Sequence, residues 1–93
     1  MSPSNYQQLV ESRVPLHSPV IAMPRCGIYL KLECVGEAAA FLHRHLTTDR
    51  ASQLDCIRAE KLLEVAASTP STGLRQVATI AVRDILRSEN MLG

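Results

Sequence analysis

Three cysteines, three histidines and ten basic residues carry most of the reactive chemistry in this 93-residue sequence. His43-Arg44-His45 is the densest group, and two imidazoles with thiols elsewhere in the chain are the ordinary makings of a transition-metal site. The segment reads as helix, however, and residues at i and i+2 on a helix point about 200° apart, so the two imidazoles diverge. No Cys-x-x-Cys or His-x-x-x-His pair supplies a second set of ligands. No metal ligand is assigned.

A nucleophilic cysteine needs a lowered pKa, exposure and a base within reach. Cys56 falls on an apolar helical stripe and Cys34 ends an apolar strand face, so both read as small core residues. Cys26 lies in a turn beside Arg25 and is the thiol expected to be exposed. The glycines, at 27, 36, 73 and 93, stand too far apart to cradle a phosphate. With no paired-carboxylate signature and no Ser-His-Asp set, no catalytic residue and no cofactor is assigned.

Arg75, Arg83 and Arg87 are the candidates for nucleic-acid contact, sharing much of one face of the last helix. Asp84, Glu60 and Glu64 interleave with the basic residues, and no aromatic side chain accompanies them for stacking on bases. That pattern favours a solvated face with local ion pairs. The formal net charge of +1 is spread along the chain, which forces neither a nucleic-acid nor a membrane partner.

The elements that must position these residues follow from hydrophobic spacing. With 46% hydrophobic and 20% charged residues, the composition is that of a globular domain. Pro3, Pro15 and Pro19 punctuate residues 1–18, which are read as a partly flexible tail preceding a single domain at 19–93. Val20 to Met23 is strand-like, Pro24 to Gly27 reads as a turn, and Ile28, Leu30, Leu32 and Cys34 alternate with Tyr29, Lys31 and Glu33. Together they predict an antiparallel hairpin.

Three helices are predicted after it. The first runs from Val35 to Leu46 with Glu37 in its first turn; Cys34 stands where a hydroxyl cap belongs, which predicts a soft start. Thr47, Thr48 and Asp49 offer caps for a second helix over about 51–67, where Cys56, Ala59, Leu62, Leu63 and Ala66 form one stripe and Leu54, Ile57 and Val65 another. So broad an apolar surface predicts burial on two sides or a dimer interface. Ser71 or Thr69 can cap a third helix, with Pro70 in its first turn and Leu74, Val77, Ala78, Ala81, Val82 and Ile85 facing inward. The expected core comprises Phe41, Leu42, Leu62, Val77, Ala81 and Ile85.

Residues 19–92 resemble the small bacterial family catalogued as domain of unknown function 982. The matching pieces are Pro19-Val20, Gly27, Val35-Gly36-Glu37-Ala38-Ala39-Ala40-Phe41-Leu42, Cys56 and Ser88-Glu89-Asn90-Met91-Leu92. The departures are Cys34 in place of a hydroxyl cap, His45-Leu46 where a tryptophan is common, and Asp49-Arg50 where an Arg-Gly turn is common. The resemblance implies no known activity.

The sequence therefore predicts an α+β fold, a two-stranded antiparallel β-hairpin followed by three helices packed on it. A two-stranded sheet is marginal alone, so its apolar face must be covered by helices, by the N-terminal segment or by a second copy of the chain, and a homodimer is expected. The opening residues lack the features of a secretory signal and no apolar run approaches the roughly 18 residues that span a bilayer, which predicts a cytoplasmic protein with reduced thiols and no membrane partner. The leading functional expectation is a non-enzymatic protein-interaction or regulatory module. The alternatives are a weak nucleic-acid binder using the basic face of the last helix and a small enzyme without a recognisable motif.

Overall fold

A helical turn at residues 8–10 precedes two extended segments. In the computed structural model, which describes residues 8–23, 27–69 and 71–92, strand β1 (Pro15–Ala22) pairs antiparallel with β2 (Leu30–Cys34). Helices α1 (Val35–His45), α2 (Thr48–Ala51), α3 (Leu54–Ser68) and α4 (Thr72–Ser88) follow. The α+β architecture is the expected one, with a helical turn more than predicted. The turn over 24–27 falls mostly outside the described residues, as do Cys26 and Pro70; Gly27 has a φ of 86°, the left-handed region that favours glycine.

Strand boundaries differ from expectation. β1 begins at Pro15, and Leu9 and Leu16 are buried, so the predicted tail over 1–18 includes core residues. Proline spacing excluded a long helix there but said nothing against packed, extended chain. β2 begins at Leu30 instead of Ile28 because β1 ends opposite it: Ala22 pairs with Leu30, while the next amide, Met23 N–H, donates to the carbonyl of Met91 at 2.7 Å. Ile28 is left 64% exposed.

Between the pairs Pro15↔Cys34 and Val20↔Leu32 the register shifts, with β1 advancing five residues against two on β2. Pro19 has no N–H to give the ladder, and His17 N–H instead donates to Thr79 Oγ1 at 3.0 Å, on α4. The Thr79 hydroxyl in turn donates to the Arg75 carbonyl at 2.7 Å. A polar side chain 3% exposed is thereby satisfied on both counts.

That bond corrects the face predicted for α4. Its buried residues are Ala78, Thr79, Val82, Ile85 and Leu86, while Val77, expected in the core, is 49% exposed and Ala81 is half-buried. The helix is rolled toward β1, which it must serve along with α3. On α3, Cys56, Ala59, Leu63 and Ala66 are buried and Leu62 is only half-buried. Phe41, Leu42 and Ile85 are core as expected.

The start of α1 is firmer than its sequence implied. Cys34 supplies no side-chain cap, but the first amides meet backbone carbonyls of the preceding segment: Val35 N–H to Val14 O at 2.8 Å and Gly36 N–H to Ser12 O at 3.1 Å. These satisfy two of the four amides that every helix leaves unpaired at its start. The approach is so close that a Cβ on Gly36 would stand 2.5 Å from the Ser12 carbonyl oxygen and nearer still to that of Val10.

The predicted second helix is divided. Thr47 Oγ1 caps the short α2 by accepting from Arg50 N–H at 3.1 Å, and Ser52 Oγ donates to the Asp49 carbonyl at 2.8 Å where the chain breaks before α3. Ser71, a predicted cap, accepts from Leu74 N–H at 3.2 Å at the start of α4. After α4, Asn90 turns the chain at a φ of 58°, Met91 is buried, and Leu92 bridges to Ala22 on the edge of β1 away from β2.

Candidate functional site

The break between α2 and α3 places Arg50 at the junction of three elements. Its side chain is 15% exposed, and its Nε donates to Glu89 at 2.5 Å beyond the end of α4. Its two terminal nitrogens grip Asp55 at 2.8 and 2.9 Å in a fork-to-fork pair. The same nitrogens reach Gln53 Oε1 at 2.9 Å, Ser88 Oγ at 2.9 Å and the Cys56 sulfur at 3.1 Å. Every donor of the guanidinium is directed at the start of α3 or the end of α4.

Charge follows geometry. The hydrogen bonds to Asp55 and then to Glu89 raise the Arg50 pKa further above its ordinary value. Arg50 holds the Asp55 carboxyl down at about 2. Burial, opposed by Arg50, pushes the Cys56 thiol up. The bonds of Arg50 clasp the start of α3 to the end of α4.

The clasp makes a pH prediction. A carboxylate whose pKa is lower folded than unfolded adds stability above the unfolded value and loses it as pH falls through the folded one. Wild-type stability should decline between about pH 4 and pH 2 through Asp55, a decline tempered by its 56% exposure. Urea titrations should show that Asp55→Asn removes this part of the acid limb; an unchanged acid limb would mean that the pair adds nothing.

Cys56 also floors a cavity of about 70 Å³ shared with Leu9, Ala39, Leu42, His43 and Glu60 among others. His43 looks into it, while His45 stacks on Phe41 with ring centroids 4.3 Å apart, so the two imidazoles do diverge. No group of three His, Cys, Asp or Glu side chains suited to a metal exists among the described residues. Cys34 and Cys56 are both buried free thiols.

The three arginines on α4 sit in different settings. Arg75 is half-buried and donates to the Pro15 carbonyl at 3.4 Å, toward β1. Arg83 and Arg87 are exposed, one turn apart on the outer side, with the exposed Asp84 beside them.

Two surfaces missed by inspection of reactive residues are apolar. On α3, Leu54, Ile57 and Val65 are 77%, 43% and 43% exposed and fall on one outward face with Arg58 and Lys61. At the hairpin, Ile28, Tyr29 and Leu30 are exposed, and Leu30, Lys31 and Leu32 line a groove of about 270 Å³ whose other wall is α1. The signal for the first was the second apolar stripe on that helix. The second had none, because it depends on where the partner strand stops.

No helix among the described residues is long and apolar enough to cross a membrane. No family model, curated protein or solved structure matches the chain.

Proposed function

We propose that this chain is a non-enzymatic protein-interaction module that works as a homodimer in the cytoplasm. The observation that carries the reading is the outward stripe Leu54, Ile57 and Val65 on α3, large side chains that the fold leaves outside its own core. Exposed apolar surface of this kind is removed from water by association, at about 25 cal/mol for each Å² covered. Arg58 and Lys61 flank the stripe, and their aliphatic stems extend it while their charges stay in solvent. The buried Cys56 thiol and the fully engaged Arg50 lend support by giving the most reactive-looking cluster a structural task.

Light scattering behind a sizing column, under reducing conditions, tests the reading. A mass near twice 10.2 kDa is expected for the wild type, falling to a single chain in Ile57→Glu with circular dichroism unchanged. A wild-type chain that stays monomeric at high concentration would overturn the dimer.

A further inference from the structure

α3 and α4 lie side by side and antiparallel: a short connection joins them, and Arg50 ties Asp55 at the start of α3 to Ser88 at the end of α4. Levels along the pair therefore run in opposite order. Val65 stands about level with Val77 near the connection, and Arg58 about level with Asp84.

The two helices share an outer face. On α3, Leu54, Lys61 and Val65 lie opposite the buried Cys56, Ala59 and Leu63. On α4, Val77 and Ile80, 49% and 51% exposed, lie with Asp84 on the side away from the buried Ala78 and Val82. The α3 stripe alone is narrow for a dimer: a strip about 22 Å long and 10 Å wide covers roughly 220 Å² in plan, against about 800 Å² per partner in a standard interface. Adding α4 doubles it.

Charge decides how two such faces meet. Arg58 and Lys61 on α3 and Asp84 on α4 are exposed, and none of the three has an ion pair among the described residues. Glu60 and Glu64 are turned aside, lining the cavity beside Cys56 and a groove beside Leu9 and Ser12. Arg83 follows Thr79 by four residues, on the side of β1, and Arg87 lies one turn beyond the level of Arg58. Setting α3 against its own copy would bring Arg58 and Lys61 against the same two cations. Setting it against α4 of the copy brings them to Asp84, brings Val65 to Val77 and lays the Lys61 stem over Ile80. A two-fold axis parallel to the helices makes every one of these contacts twice.

We propose that the chain dimerises through the combined outer face of α3 and α4, with α3 of each copy packed antiparallel on α4 of the other and Asp84 paired with Arg58 and Lys61 across the interface. The inference rests on the homodimer reading and assigns half of the interface to α4.

Charge reversal tests it, with sedimentation equilibrium giving the dimer dissociation constant and circular dichroism checking that each exposed-site variant folds. Asp84→Lys alone should weaken the dimer at least about tenfold, and so should Arg58→Glu with Lys61→Glu. Mixing the two variants should restore it, because each contact then joins opposite charges and only the mixed pair is free of repulsion. An Asp84→Lys chain that dimerises like wild type overturns the pairing while the homodimer stands. So does a mixture that stays monomeric. A monomeric wild type removes both.

Discussion

Replacing Leu63 with alanine is expected to cost about 3–5 kcal/mol, while the same change at its neighbour Leu62 costs about 1 kcal/mol. Leu63 is fully buried at the inner face of α3 and already lines the cavity beside Cys56, so truncation enlarges a void whose walls come from several elements and do not collapse readily. Leu62 is half-buried and loses only part of its contact with the core. Against the roughly 5–15 kcal/mol that holds small domains folded, the first change removes a large share of the total. Urea midpoints at constant m-value measure both. Equal losses would mean that α3 is rolled so that Leu62 and Leu63, about 100° apart on the helix, face the core alike.

Gly36→Ala should destabilise the protein by about 3 kcal/mol, at the upper end for an inserted methyl group. The new Cβ would collide with the carbonyls of Val10 and Ser12, which are backbone atoms without a rotamer to escape into. Relief requires the segment at 10–14 to move away, and that breaks the bonds to the Val35 and Gly36 amides. Gly73→Ala is the control with the opposite sign: nothing lies within 4 Å of a Cβ there, and alanine in a helical position is worth up to about 1 kcal/mol over glycine. Thermal melts of the pair separate a crowding effect from the general cost of changing a glycine. If Gly36→Ala melts like wild type, the N-terminal segment does not seat on α1.

The α+β class, the antiparallel pairing, the Ser71 cap and the inward faces of α1 and much of α3 were all readable from spacing, because each depends on contacts within a few residues or on a single periodicity. What spacing missed were long-range effects. Val77 fits an inward stripe on α4, but the helix is rolled by a bond from His17 to Thr79, a partner 62 positions away that no periodicity encodes. Leu9 and Leu16 lie in a proline-punctuated stretch whose composition allows a short helical turn over Tyr6 to Ser12, which residues 8–10 make, but is silent on burial. The cap of α1 was sought in a side chain and is supplied by backbone. Arg50 was noticed only as a turn residue, since its role emerges when Ser88 and Glu89 return to it from the far end of α4.

Those same long-distance partnerships bear on how quickly the chain can fold. β1 is completed from both sides, by residues 30–34 and by residues 79 and 91–92, so its contacts span most of the sequence. Folding rates fall as the mean separation of contacting residues rises, because long loops must close before their contacts form. A chain rich in helix would ordinarily fold fast; this one should behave kinetically more like a mixed α/β domain. During synthesis, β1 must wait with one flank bare until α4 and the turn beyond it have emerged, a long interval in which its strand edge is available to the wrong neighbour.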